Sequence, residues 1–294
     1  MVTGNSGFLG SAVGRVLRAA GAVVHGTGFS RIATSCSVFH RMSLPEDAQD
    51  LIETVQPSVV FHLAAPVNPD MERDEAACKD AIVSGSEAIA DACAHVGSRL
   101  VHTGTCAEYG SIPTPYREDQ GCQPSGAYGV LKYAATQRIV GSSTLEWSVV
   151  RPFRALGPGD NNSVVALAAR AALRGEPFGM TDGKQVREWN HVDAVAQGIV
   201  AAGAHPGAVR EVINIGGGPL LSVREMVQRV FQCAGADTDL IRVGERPRRS
   251  HEVDTLFGDH SKAVGLWGTI AGPPLEGIIQ AVIDDQRSSL GVVA

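Results

Sequence analysis

Short β-branched runs alternate with alanine-rich helical stretches across the first two thirds of the chain, and that order restricts the fold more than any other feature. The runs AVVHGTG, PSVVFHLAA, RLVHTGT and WSVVRPF carry little polar alternation and read as parallel strands buried on both faces. Between them, SAVGRVLRAAG, DEAACKDAIVSGSEAIADACAHVG and AYGVLKYAATQRIVG have helical periodicity, and several close on Gly. Strands alternating with helices predict an α/β chain with a doubly wound parallel sheet. The 294 residues, 44% hydrophobic and 19% charged, suffice for one large α/β domain or two smaller ones.

After RPFRALGPGD the pattern loosens. NNSVVALAARAALRG reads as a helix leaving the sheet, EVINIGGG returns a strand, and SVREMVQRVFQCAG gives a further helix. A basic loop, GERPRRSHE, precedes a tail helix around LEGIIQAVIDDQ. The expected division is a dinucleotide-binding domain over 1–153, with 187–215 returning to it. A smaller C-terminal α/β substrate domain over 154–186 and 216–294 would close over the sheet's carboxyl edge, where such folds bind ligands.

TGNSGFLG, Thr3–Gly10, sets glycines at 4, 7 and 10 immediately before a helix. Such a turn lets backbone amides approach a pyrophosphate, with the helix N-terminus aimed at its charge. Many loops hold three glycines; the position at the head of a βα series is what points to a dinucleotide and a Rossmann-type sheet. Gly4, Ser6, Gly7, Phe8, Leu9 and Gly10 are the candidate cofactor contacts here. Only Met1–Val2 precede the motif, so the first strand is expected to be stunted or the numbered chain to lack its true beginning. Where the second strand ends, HGTGFSR offers Thr27, Ser30 and Arg31 and no acidic residue. An Asp or Glu there binds the ribose 2′-hydroxyl of NAD, whereas an arginine pairs with a 2′-phosphate. The stretch favours NADP(H), with NAD(H) the alternative and a solvated Arg31 the plain structural reading.

The remaining composition excludes classes. A net charge of −6 argues against nucleic acid as a partner. No apolar run reaches membrane-spanning length, and no basic-then-apolar leader opens the chain. Cys36, Cys78, Cys93, Cys106, Cys122 and Cys233 show neither CxxC nor metal spacing, so they are expected to be free thiols in a reducing cytoplasm, with no metal.

Tyr128 and Lys132 in YGVLK stand four apart and share one helical face. A neighbouring ammonium is expected to stabilise phenolate and lower the tyrosine pKa from about 10. The phenol then exchanges a proton while a hydride moves. Thr105, at the end of a predicted strand, can hydrogen-bond the same substrate oxygen. YxxxK alone would equally suit a tyrosine on the packed face of an amphipathic helix.

TGxxGFxG, HLAA (His62–Ala65), TGTCAEYG, YGVLK, RPF…GPG and DGKQVREWNHVDAVA occur in order along almost the whole chain. Together they resemble the extended short-chain dehydrogenase/reductases of the NAD-dependent epimerase/dehydratase family that act on nucleotide sugars. The resemblance implies Thr105, Tyr128 and Lys132 as catalytic residues, with Lys132 also reaching the nicotinamide ribose. It adds Leu63, Ala64 and Ala65 to the cofactor contacts.

In the family's 4,6-dehydratases the two residues after the catalytic Thr are typically Asp and Glu, and related decarboxylases keep a Glu at the second position. Here those positions hold Cys106 and Ala107. Alanine transfers no proton, and Glu108, one residue on, is expected to face the other side of a strand. Carbonyl–alcohol hydride exchange remains. The chain resembles deoxysugar 4-ketoreductases, which implies NADPH-dependent reduction of a nucleotide-linked 4-keto-6-deoxysugar. The alternatives are epimerisation through a transient ketone, an unusual dehydration using the Cys106 thiol, or a dinucleotide-binding protein with a relic site.

Arg187 and Arg249 match the family's two diphosphate-binding arginines, with Arg246 the fallback for the second. Arg154 replaces the usual asparagine after RPF, where it would add a cation to the diphosphate or narrow the sugar pocket. Cys106, Arg154, Arg187 and Arg249 are thus the candidate substrate contacts. Asp193 is expected to cap the helix after HVDAV, with His191 as a satisfied neighbour. Ile82 stands where relatives carry Asn. The resemblance also implies a cytoplasmic homodimer built on paired DEAACKDAIV and AYGVLKYAATQR helices.

Overall fold

The computed structural model describes residues 1–29, 32–66, 74–249 and 252–291. The first strand β1 (Val2–Thr3) is two residues long and leads through the glycine turn into α1 (Phe8–Ala19). Then come β2 (His25–Gly28), β3 (Val38–Arg41), α2 (Ala48–Val55) and β4 (Val59–His62). A short helix α3 (Glu75–Lys79) continues through a π turn (Asp80–Ser84) into α4 (Gly85–Val96). After β5 (Arg99–Thr103), α5 (Ala127–Val140) and β6 (Trp147–Pro152) complete the alternating series.

The rest of the chain runs β7 (Ala155–Leu156), α6 (Val164–Arg174), β8 (Phe178–Met180), β9 (Val186–Glu188), β10 (Asn190–His191) and α7 (Val192–Ala204). It continues as β11 (Glu211–Ile215), β12 (Leu220–Ser222), α8 (Val223–Cys233), β13 (Ile241–Val243), β14 (Thr255–Leu256), α9 (Ser261–Trp267) and α10 (Leu275–Leu290).

Among the described residues, seven strands form one parallel sheet in the order β11–β6–β5–β4–β1–β2–β3. It is the Rossmann-type doubly wound sheet the alternation predicts. Successive strand residues divide between its two faces, because strand side chains alternate. Val60, Leu100 and Val149 pack with Ile52, Ile89 and Ile139 of α2, α4 and α5. Phe61, Val101 and Val150 pack with Val13 of α1 and Val195 and Ile199 of α7. Burial on both faces explains why the strand sequences read as continuous apolar runs. A separate core of Leu156, Phe178, Trp189, Met226, Phe231 and Ile279 lies among α6, α8 and α10.

The sheet order reverses between β1 and β4, whose ends pair Thr3 with His62. A doubly wound sheet opens a ligand crevice at such a point. The glycine turn sits there. The six cysteines are free thiols, and no described helix is long and apolar enough to cross a membrane.

Candidate active site

The glycine turn is held by close backbone approach. Gly4 has φ +66°, and a Cβ there would lie 2.8 Å from Ala64 N. A Cβ on Gly10 would stand 2.2 Å from Gly4 O, and one on Gly7 3.2 Å from the same oxygen. The turn therefore tolerates no side chain at Gly4 or Gly10. Thr3 Oγ1 accepts from Leu63 N and Ala64 N, both at 3.1 Å, and bonds His62 Nδ1 at 2.7 Å, tying the ends of β1 and β4 together. Gly7 is the N-cap of α1 with no side chain on the helix's first amides. This Cβ-free cradle at a helix N-terminus fits a dinucleotide pyrophosphate. Ser6, Phe8, Leu9 and Ala65 border the same crevice by their place in the turn and after β4. Ser30 and Arg31 lie outside the described residues.

Sequence reasoning passed over Asn5, which organises this corner. Fully buried, it donates from Nδ2 to Gly10 O at 2.9 Å, accepts from Ser35 Oγ at 3.1 Å, and donates its backbone N–H to Thr27 O at 2.8 Å. Phe29 was also passed over. It is 75% exposed just past β2, and its only sequence signal is an aromatic residue at the end of an otherwise small-residue strand.

Beyond β5 the chain does not continue as a strand. Thr105 caps a single 3-10 turn, Cys106–Glu108, with its Oγ1 accepting from Ala107 N at 3.3 Å. The expected strand alternation at Glu108 is thus replaced by a turn, and the reason is a capping box: Glu108 Oε1 accepts from Thr105 N at 3.0 Å. The carboxylate points away from the cavity all the same. It is fully buried, accepts from Thr136 Oγ1 at 3.1 Å, and pairs with Arg151 Nε at 2.9 Å. Ala107 and α5 meet closely; a Cβ on Gly129 would lie 2.6 Å from Ala107 O.

That contact brings Tyr128 to the turn. Cys106, Ala107, Tyr128, Arg154, Arg187 and Arg249 line one cavity of about 180 Å³. Neither Thr105 nor Lys132 is in its wall, and Lys132 is 3% exposed one turn along α5. Tyr128 packs against the buried cluster of Ile82, Leu131 and Ala135, as does Ala65. The expected lowering of its pKa is not found. Burial pushes the phenol above its ordinary value, and the neighbouring Cys106 and Glu108 add to the rise. Burial pushes Lys132 down to about 8 against the opposing pull of Glu108. Cys106 is pushed up to about 12, again chiefly by burial, so its thiol stays protonated at neutral pH.

A second cavity of about 270 Å³ shares Arg154, Arg187, Arg249 and Glu252 with the first and is otherwise lined by Val164, Leu167, Phe178 and Met180 among others. All four substrate-side arginines named from sequence reach it, including Arg246. Their situations differ. Arg187, 3% exposed, donates to the backbone oxygens of Val186, Val253 and Asp254 and pairs with Glu252 at 3.1 Å. Its guanidinium is largely committed to holding the 252–254 strap. Arg154 and Arg249 make no guanidinium hydrogen bond or ion pair among the described residues; Arg154 lies over the Trp189 ring at 5.4 Å.

Two capping assignments change as well. His191, not Asp193, is the N-cap of α7, its Nδ1 accepting from Asp193 N at 3.2 Å. Asp193 sits in the first helical turn, where its charge suits the helix dipole, and pairs with Arg15 at 2.8 Å.

The sequence pattern of the "NAD dependent epimerase/dehydratase family" matches residues 1–216. UDP-glucose 4-epimerase of Mycolicibacterium smegmatis is 28% identical over 80% of this chain and 82% of its own. dTDP-4-dehydrorhamnose reductase of Mycobacterium tuberculosis is 28% identical over 63% of this chain and 62% of its own. Among solved structures, MoeE5 in complex with UDP-glucose and NAD superimposes with a TM-score of 0.87 at 28% identity, covering 98% of both chains. UDP-glucose 4-epimerase of Thermotoga maritima with UDP-glucose gives 0.89 at 24% identity, also over 98% of both. With the glycine cradle, the Tyr128–Lys132 helix and a family pattern spanning most of its length, this chain belongs to the NAD dependent epimerase/dehydratase family.

Proposed function

We propose that this chain reduces the C4 ketone of a nucleotide-activated 4-keto-6-deoxysugar, using NADPH. Gly4, Ser6, Gly7, Phe8, Leu9, Gly10, Leu63, Ala64, Ala65, Tyr128 and Lys132 hold the cofactor, which supplies the hydride when bound. Tyr128 gives its proton to the oxygen at C4 as charge develops there. The Thr105 hydroxyl donates to the same oxygen, and Lys132 lends positive charge nearby. A phenol held protonated by burial is in the state a reduction needs at its start.

The observation that carries the reading is the Glu108–Arg151 pair. It removes the turn's one carboxylate from the cavity, leaving a thiol and a methyl group where elimination requires an acid and a base. The guanidiniums of Arg154 and Arg249, which make no hydrogen bond or ion pair among the described residues, line both cavities. They suit a diphosphate with the sugar on the Tyr128 side and the nucleoside among Leu167, Phe178 and Met180. In this reading 1–153 and 187–215 serve the dinucleotide, and 154–186 and 216–294 serve the nucleotide sugar. The preference for NADP(H) is supported by the absence of acidic residues from His25–Phe29. A relative 29% identical over 54% of this chain carries the name dTDP-6-deoxy-L-talose 4-dehydrogenase (NAD(P)(+)).

A second reading, 4-epimerisation through a transient ketone, is favoured by the long match to UDP-glucose 4-epimerase. Stoichiometry separates them. Incubation with NADPH and a panel of nucleotide-linked 4-keto-6-deoxysugars should consume one cofactor per product. Interconversion of sugar isomers with no net cofactor change would establish the epimerase instead.

A further inference from the structure

Beside the glycine turn lies a cavity of about 550 Å³ whose walls are Asn5, Ser6, Ser11, Arg15, Arg18 and residues 32–35. No carboxylate is among its lining residues. Two guanidiniums and the hydroxyls of Ser6, Ser11, Thr34 and Ser35 are. Ser11, Arg15 and Arg18 recur at helical spacing along one side of α1, and long helical side chains lean toward the N-terminus of their helix, here toward the turn.

The cavity is built. Its floor is the fully buried Asn5, which joins Gly10 O, Ser35 Oγ and Thr27 O. Gly14 and Gly26 make room for that side chain, since a Cβ on either would stand 2.5 Å from an Asn5 side-chain atom. Arg18 donates to Thr34 O at 3.2 Å, which fixes the loop opposite the helix. Among the described residues Arg15 has one ion pair, to Asp193, and both partners are about half exposed. Most of the N–H donors of both guanidiniums are therefore unspent.

We propose that this cavity receives the 2′-phosphate of NADP(H), with Arg18 and Arg15 as the discriminating cations and Thr34 as a hydroxyl donor. A phosphomonoester matches a hydroxyl-rich, acid-free pocket with forked donors. The loop after the second strand of such a sheet is where the adenosine ribose is read. The inference rests on the NADP(H) part of the proposed function and moves its determinant from Arg31, which the sequence singled out, to α1.

Binding of adenosine 2′,5′-bisphosphate and 5′-AMP to the full chain by calorimetry tests it without any turnover. The two probes differ only in the 2′-phosphate. Wild-type protein should bind the bisphosphate more tightly by about tenfold or more, the worth of a charge-assisted hydrogen bond. Arg18→Ala and Arg15→Ala should each erode that ratio about fivefold or more while 5′-AMP affinity holds, and Arg18→Lys should retain part of it. Unchanged 5′-AMP binding also certifies the fold of each variant. A ratio near one in wild type overturns the proposal, as does a ratio that survives both substitutions. So does a ratio lost only in Arg31→Ala. Titration of a free nucleoside diphosphate at the Arg154–Arg249 wall reads the sugar-nucleotide site separately, so failure of one assignment leaves the other measurable.

Discussion

Arg151 Nε donates to Glu108 Oε2 at 2.9 Å, and both side chains are buried at the end of β6 behind the active-site turn. The pair fixes the turn and withholds its carboxylate from the cavity. Breaking a buried pair leaves an uncompensated charge, a loss of about 3–5 kcal/mol. Glu108→Gln should therefore lower the urea midpoint by a corresponding amount, with no elimination product appearing. An unfolding midpoint within error of wild type would show that the pair does not hold the turn.

Gly129 lets α5 pack tightly against the turn, where a Cβ would stand 2.6 Å from Ala107 O. Gly129→Ala must move Tyr128 or the turn itself. Overpacking of this kind costs about 1–3 kcal/mol, and misplacing a reacting group is expensive in rate, about 100-fold per ångström. The expected outcome is a fall in kcat of at least about tenfold with nucleotide-sugar KM little changed, read from steady-state kinetics.

In the proposed reaction Tyr128→Phe removes the proton donor and keeps the packing against the Ile82, Leu131 and Ala135 cluster. Turnover should drop by about 10²–10⁴-fold, while cofactor binding followed by fluorescence stays within a fewfold of wild type. Full activity in this variant would remove Tyr128 from the chemistry.

Two fully buried histidines set the acid stability. Burial pushes His62 down to about 3, and burial with the nearby Lys132 charge pushes His102 well below its usual range. Both are neutral in the fold and protonate more readily when unfolded, so the unfolded state binds more protons below about pH 6.5. Stability consequently rises with pH from about 3 to 6.5 and falls on acidification, by about 1.4 kcal/mol per pH unit for each histidine. Among the described residues neither His102 ring nitrogen has a hydrogen-bond partner, so His102→Leu should flatten this dependence. Thermal melts between pH 4 and 7 supply the check, and equal slopes in variant and wild type would refute the assignment.

The sequence made the sheet, the glycine turn and the Tyr128–Lys132 helix legible because each rests on local pattern: buried strands on apolar runs, the turn on glycine spacing, the helix face on a four-residue interval. What escaped depends on partners distant in sequence. Glu108 leaves strand geometry because its own capping box and Arg151, 43 residues on, draw it inward. Arg187 matched a ligand-binding pattern, yet most of its donors hold a strap 65 or more residues away. His191 displaced Asp193 as a cap because a histidine nitrogen accepts as well as a carboxylate does. The cavity along α1 needed Asn5 to bring residues 32–35 against the helix, which no periodicity announces.

The most direct test of the central claim uses NADPH deuterated at the transferable position with a nucleotide-linked 4-keto-6-deoxysugar, the product being read by mass spectrometry and NMR. One deuterium fixed at C4 of a secondary alcohol, with one cofactor oxidised per product, is the predicted result. An unlabelled isomer, a product that has lost water, or label at any other carbon would contradict it.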